Sequence, residues 1–457
     1  MNYQPLTIRS DDQSLLTDLY ELTMAACYVS EGVHQRRASF ELFVRKLPEE
    51  FGYLIAMGLE QALAYLERLH FNDEQIAALQ STGIFDNVPD SFWSLLRESR
   101  FTGDVWAVPE GTAMFVNEPF LRVEAPLWQA QLVETYLLNA INYQTLVATR
   151  AAQTRDVTGD GAKLLEFGTR RAFSPQGSMW AARAAIAAGF DATSNVLTAL
   201  QLGRKPSGTM AHSLVMALSA MEGTEDQAFT AFLKCFPGAA LLIDTYDTVA
   251  AAQRLVERAK SGELEVKAVR LDSGDLVSLS QQVRSLLPDV TIFASGDLNA
   301  QEIARLRQEG ATIDGYGIGT KLVTGDPVNG VYKLVEVDGV PTMKASSSKV
   351  TYPGRKQVFR QLDHGKIVGD RLALMDEHPD GDIPLLHLVM REGKCLYQTE
   401  DLGAIAQRTH QSVNSLPDTL RTVQQPQSIA PDLSPKLQEL TKHTQQQIQE
   451  AYTGSNS

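Results

Sequence analysis

The sequence predicts an α/β protein: an irregular parallel α/β barrel with an N-terminal α/β layer. Two observations carry that expectation. Between Leu164 and Ile318 short apolar runs alternate with amphipathic stretches, as repeated βα units joined by short connections require. Six polar or glycine clusters also fall where apolar runs stop: Glu166–Arg171, Thr193–Asn195, Ala211–Ser213, Arg270–Asp275, Ser295–Asp297 and Gly317–Thr320. In a parallel barrel the strand carboxyl ends share one rim, so these clusters would converge on a single pocket.

In chain order, residues 13–30 carry an amphipathic helical pattern (Leu15, Leu16, Leu19, Leu22, Met24, Ala25), interrupted by Asp18 and Tyr20. A strand follows at Ala38–Val44, then helical stretches at 57–70, 73–80 and 90–98. Gly103, Pro109, Gly111 and Pro119 punctuate short extended pieces, and 127–153 reads as one long helix. The alternating region predicts strands at 163–167, 203–210, 239–243, 266–271, 290–294 and 312–318, with helices at 178–188, 213–221, 225–235, 247–260, 275–286 and 298–309. A hairpin with Asp338-Gly339 at its turn follows Val331, and the chain then returns to the N-terminal layer. Past Ser415 the composition turns to Gln, Pro, Ser and Thr, which predicts a peripheral helix with a loose end. The expected domains are 1–150 completed by 346–415, the barrel at 151–345, and a polar extension at 416–457.

A chain of 457 residues with 44% hydrophobic content has material for a barrel and a further layer. Its cysteines, Cys27, Cys235 and Cys395, lie far apart without metal spacing, so the expectation is a reducing cytoplasm with neither disulfides nor structural zinc. No basic segment followed by an apolar core opens the chain, and no apolar run approaches the roughly 20 residues of a membrane span. Export and membrane insertion are not expected. A net charge of −14 repels nucleic acid, while local lysines and arginines remain able to hold a small phosphorylated ligand.

The chemistry sits in the clusters. Asp272 closes an apolar run, where a carboxylate can accept hydrogen bonds from a ribose diol, and Arg270 can hold phosphate with its planar fork. Asp-Ser-Gly-Asp is equally good turn and capping chemistry. The glycine turns at Ser295-Gly296 and Gly319-Thr320 end consecutive strands and precede helices, an arrangement that presents backbone N–H groups to phosphate. His212 opens a helix, whose N-terminus favours the neutral imidazole, and Asp244 on the next strand can accept the other ring N–H. The bland readings are a capping histidine and a helix cap.

Thr17–Glu21, Glu166–Arg171, Gly208–Ser213, Ile243–Asp247, Arg270–Asp275 and Lys349–Gln357 together resemble the motifs of the nicotinate phosphoribosyltransferase family, in order from about residue 14 to about 400. The resemblance implies a type II phosphoribosyltransferase, homodimeric, with active sites shared between subunits. It implies that nicotinate and 5-phosphoribosyl 1-pyrophosphate (PRPP) give nicotinate mononucleotide and pyrophosphate in NAD biosynthesis, coupled to ATP hydrolysis and assisted by Mg2+. By the same resemblance Phe167 stacks on the pyridine ring opposite the partner subunit's Tyr20, with Asp18 beside it. Arg170 pairs with the nicotinate carboxylate, helped by Ser213 and flanked by Ser194. Arg270, Asp272, Ser295, Gly296, Gly319 and Thr320 hold the ribose and its 5′-phosphate. Lys349, Arg355 and Lys356 suit pyrophosphate or ATP, His212 is transiently phosphorylated, and Asp244 orients it. Two alternatives stand beside this reading: a nicotinamide phosphoribosyltransferase, with an acidic residue in place of Ser194, and a non-catalytic barrel that senses a nucleotide. Intact Arg270, Asp272, Asp244 and His212 argue against the second.

Overall fold

A computed structural model describes residues 6–346 and 349–454, which form two compact units. The first contains the chain up to Thr145, Pro327–Ala404 and the chain from Asn414; the second contains Leu146–Asp326 and Ile405–Val413.

A seven-stranded antiparallel sheet organises the first unit. Its strand Arg37–Val44 is buried at every residue but the first, because Gly330–Val337 and Pro119–Pro126 pair with it on either side. Phe40 and Tyr332 stack across the first of these pairs at 4.9 Å between ring centroids. The late hairpin strand, expected in the barrel domain, thus completes the first unit's sheet. The chain from Asn414 also belongs to this unit, through the strand Asp432–Leu433 and the helix Pro435–Gly454, whose Leu437 is fully buried. The helix expected over 127–153 divides into Leu127–Leu132 and Glu134–Thr158, with Glu134 in the first turn of the second, where a carboxylate suits the helix dipole. The N-terminal helix starts only at Leu19, after a 3-10 turn at Ser10–Leu15.

Six short parallel strands organise the second unit in the order Ala192–Thr193, Lys163–Glu166, Gly315–Ile318, Thr291–Gly296, Ala268–Leu271, Ala240–Leu242. Helices follow them, and their starts were written in the sequence: Ser174, Asn195, Asp247, Asp275 and Asn299 each cap a helix by accepting a backbone N–H. The strand expected at 203–210 does not form. Pro206 lacks an N–H and two glycines flank it, so the segment makes isolated bonds instead of a ladder. Ser207 N–H donates to the Thr193 carbonyl (2.9 Å), and the Thr209 hydroxyl donates to the Ala240 carbonyl. The segment therefore bonds to both edge strands of the sheet.

One buried charge cluster gives the first unit a pH signature. Glu118 accepts the Phe115 N–H (2.8 Å) with Oε2, while its Oε1 has no donor. Asp370 beside it already takes two bonds from Arg360 (3.0 and 2.6 Å). Burial, reinforced by Asp370 and opposed by Arg360, pushes the Glu118 carboxyl well above its usual range, which favours its protonated form beside Asp370. A carboxyl raised in this way contributes its full stability below the ordinary value of 4.5 and loses it as pH rises through the folded value. Glu118→Gln, which carries permanent protons, should flatten the fall in stability toward alkaline pH and raise Tm at about pH 9 by about 2 °C or more. Thermal melts across this range check it; parallel curves for the two proteins would contradict it.

Candidate active site

Three strand ends of the second unit are tied together by carboxylates. Asp244 follows the strand Ala240–Leu242, and its side chain is almost wholly buried. Its Oδ2 accepts the Asp272 N–H (2.8 Å) and the Ser273 hydroxyl (2.7 Å), which fixes the turn after Ala268–Leu271. Asp272 in turn accepts the Ser295 hydroxyl through Oδ1. Gly296 completes the turn at φ +112°, in the left-handed region, where an added Cβ would lie 2.7 Å from the Asp272 carbonyl oxygen. Only glycine fits both conditions.

His212 is the first residue of the helix His212–Glu222. Its Nε2 stands 3.9 Å from Asp244 Oδ1 and 3.9 Å from Asp272 Oδ2, while Nδ1 lies 3.1 Å from the Thr245 hydroxyl. The Asp244 carboxylate does face the ring, as the sequence led one to expect, but from beyond hydrogen-bond distance. Thr245 makes the direct contact. Asp244 Oδ1 is buried and receives no hydrogen bond among the described residues.

Beneath this rim lies a cavity of about 200 Å³, lined by Phe167, Arg270, Ser207, Gly208, Phe293 and Gly317 among others. Gly317 explains where the Phe167 ring sits: a Cβ there would collide with two of its atoms and crowd a third, so the strand offers the ring a bare backbone surface. Among the described residues Arg270 has a buried Nε without a hydrogen-bond partner, and it faces Asp272, 3.8 Å from Nη2. Burial, relieved by Asp272 and Asp244 and aggravated by Arg170, holds the Arg270 guanidinium below its usual range. Arg170, exposed in the turn after Phe167, is therefore close enough to add its positive charge to that of Arg270. Ser194 stands next to Gly208 on the neighbouring loop, and Ser213 occupies the first turn of the His212 helix. Gly319 and Thr320 begin the short helix after the strand Gly315–Ile318.

The remaining expected site residues belong to the first unit. Asp18 precedes the helix Leu19–Ser30 and accepts the Thr135 hydroxyl (3.3 Å); Tyr20 is 44% exposed, with its phenol pushed up by partial burial and by Glu134. Arg355 pairs with Glu336 (3.0 Å) and Glu124 (3.4 Å). Lys356 is buried, and its ammonium bonds the carbonyls of Tyr352 (2.6 Å) and Gly354 (2.7 Å) and the carboxylate of Glu41 (2.8 Å). Its three donors are thus consumed by the fold, which leaves none for the pyrophosphate or ATP expected there. The Lys349 side chain lies outside the described residues. Among the described residues no group of three or more His, Cys, Asp or Glu is placed to hold a metal. No helix among them is long and apolar enough to cross a membrane. Sequence reasoning gave no role to Thr245, Phe293 or the Glu166 carboxylate, although Glu166 was visible as a strand-end acid.

Comparison with known proteins points to one family. Three sequence profiles match in succession: the nicotinate phosphoribosyltransferase (NAPRTase) N-terminal domain over residues 15–142, the nicotinate phosphoribosyltransferase (NAPRTase) family over 162–364, and the nicotinate phosphoribosyltransferase C-terminal domain over 382–441. A nicotinate phosphoribosyltransferase of Mycobacterium tuberculosis is 41% identical over 430 residues, covering 92% of this chain and 91% of its own. The nicotinate phosphoribosyltransferase of Bacillus subtilis is 38% identical over 467 residues, with 93% and 94% covered. The crystal structure of human nicotinic acid phosphoribosyltransferase superposes with a TM-score of 0.82 at 29% identity, over 93% of this chain and 99% of that one.

The Phe167–Gly317 contact is directly testable. Gly317→Ala should push the ring off the strand, weaken binding of a planar aromatic anion in the cavity about tenfold, ~1.4 kcal/mol, and lower Tm by a few degrees, since overpacking a buried position costs roughly 1–3 kcal/mol. Calorimetric titration checks this; unchanged affinity would place the ligand elsewhere.

Proposed function

The chain belongs to the nicotinate phosphoribosyltransferase family, and from that premise we propose that it condenses nicotinate with PRPP to nicotinate mononucleotide and pyrophosphate, coupled to ATP hydrolysis. The observation that carries this reading is Arg270, a buried guanidinium with a vacant Nε beside an aromatic ring and a second cation. A planar anion satisfies all three features at once: the ring lies on Phe167 and the carboxylate meets the charge of Arg170.

In this reading the parallel sheet closes into an irregular barrel through residues 207–209, which hydrogen-bond to both of its edges. Asp272 holds the ribose diol, while Arg270, Ser295-Gly296 and Gly319-Thr320 receive the 5′-phosphate. The pyridine nitrogen attacks C1 of the ribose as the C1–oxygen bond breaks, and the electron pair leaves with pyrophosphate. The nucleophile carries its own lone pair, so no general base is needed, and the protein acts by positioning and by stabilising charge. Mg2+ bound with the substrate phosphates would shield their charge. Asp244 and Asp272 are suited to hold it, because Asp244 Oδ1 is buried without a donor and a magnesium site needs only one or two carboxylates when phosphates and water complete the shell. His212 takes the γ-phosphoryl group of ATP, releasing ADP; water later cleaves the phosphohistidine to phosphate.

The second unit also leaves Phe173, Val196, Leu197, Leu200, Met216 and Met221 well exposed. So much exposed apolar surface on one unit supports a homodimer in which the partner subunit's Asp18 and the partner subunit's Tyr20 complete the pyridine pocket.

With labelled ATP the wild type should form an acid-labile, base-stable phosphoenzyme. His212→Ala should lose both the label and ATP hydrolysis while keeping part of its PRPP-dependent synthesis; full labelling of the variant would overturn the assignment. Tyr20→Ala and Asp272→Ala homodimers should each fall by roughly 100-fold or more in kcat/KM, a loss of ~2.7 kcal/mol. Mixed dimers contain one site with neither lesion, so activity should return toward half of wild type. Verified heterodimers as inactive as their parents would show that Tyr20 does not serve the neighbouring site.

A further inference from the structure

Glu166 ends the strand Lys163–Glu166 with its side chain fully buried, and no cation pairs with it among the described residues. Burial pushes its carboxyl up, opposed by hydrogen bonds from the Thr193 hydroxyl and the Gly168 N–H. An acid in such a place is expensive to the fold, and an apolar side chain would cost less. What the carboxylate does is join two loops. Oε1 accepts the N–H of Gly168, in the turn where the Gly168 carbonyl also takes the N–H groups of Arg171 (2.8 Å) and Ala172 (3.0 Å). Oε2 accepts the hydroxyl of Thr193.

Thr193 Oγ1 accepts the Asn195 N–H (2.8 Å) with one lone pair, which leaves its single proton for Glu166. Asn195 is itself anchored: its Oδ1 accepts the Thr198 N–H (3.0 Å), and its amide donates to Ser178 (3.2 Å). Ser194 lies between these two anchored residues and donates its own N–H to the Glu166 carbonyl (2.9 Å). One residue thus holds both loops, by its backbone and by its side chain. The linked carboxylates and hydroxyl of Asp244, Asp272 and Ser295 share no hydrogen bond with this network among the described residues.

We propose that Glu166 is a positioning residue for the pyridine substrate: its carboxylate clamps the turn bearing Phe167 and Arg170 to the loop bearing Ser194, so that recognition of nicotinate depends on it while recognition of PRPP does not. This rests on the nicotinate and PRPP reading above. Glutamine at the same place must turn its NH2 toward one of the two donors: toward the Gly168 N–H donor meets donor, and toward Thr193 the hydroxyl has to send its proton elsewhere, so the clamp is weakened. Glu166→Gln should therefore raise KM for nicotinate at least about tenfold at saturating PRPP, leave KM for PRPP within about twofold, and change kcat little. Thr193→Val removes the other half of the clamp and should give the same split, Thr193→Ser should restore wild-type behaviour, and the double variant Glu166→Gln/Thr193→Val should be no worse than the poorer single. If Glu166→Gln does not fold, the Thr193 pair carries the same test. A nicotinate KM that stays unchanged, or KM values that rise together for both substrates, would overturn the proposal. Wild-type enzyme that forms no nicotinate mononucleotide would instead overturn the function on which it rests.

Discussion

The site depends first on one buried carboxylate. Asp244 reaches from its own strand end to the backbone N–H and hydroxyl of the next, and Asp272, held by those bonds, reaches the hydroxyl of Ser295 on the strand after that. Three turns that would otherwise move separately thereby become one surface. Asp244 can do this because a carboxylate offers several acceptor sites, and the atom it leaves unused points at the imidazole of His212. In the proposed reading, the ribose, the phosphoryl acceptor and the cation would all be placed by that single side chain.

The other half of the site rests on absence of side chains. Gly317 lets Phe167 lie against its strand, and the ring and Arg270 then face the same cavity. Arg270 lines it and Arg170 is near enough to add its charge, on a chain whose net charge is −14, so the local field is opposite in sign to the mean. A small anion is drawn to such a place, whereas a polyanion would meet repulsion over the rest of the surface. Electrostatics of this kind choose the size of the ligand as well as its charge.

Much of this was legible from the residues. Strand ends and helix caps were marked by Asp244, Asp247, Asp272 and Asp275, since turn and cap chemistry is local and leaves its signature in sequence. The 203–210 segment read as a strand because its composition says nothing about neighbours; it bonds each edge of the sheet once and forms no ladder. Gly330–Val337 was placed with the preceding βα units because sequence order suggested it, yet its partner is Arg37–Val44, nearly 300 residues earlier. Lys356 looked like a phosphate ligand within a basic cluster. The pairing that consumes it, with Glu41, comes from a strand on the far side of the sequence. Long-range partners of this kind are set by tertiary packing, and neither spacing nor periodicity reports them.

The central claim is that the strand carboxyl ends of the second unit form one phosphoribosyl and pyridine site. A crystal structure with nicotinate mononucleotide bound tests it most directly. The account predicts the pyridine ring on Phe167, its carboxylate within hydrogen-bond reach of an arginine, the ribose diol on Asp272, and the phosphate at Ser295-Gly296 and Gly319-Thr320. A nucleotide bound away from Asp272, or lying with its phosphate against Phe167 and its ring in solvent, would contradict it.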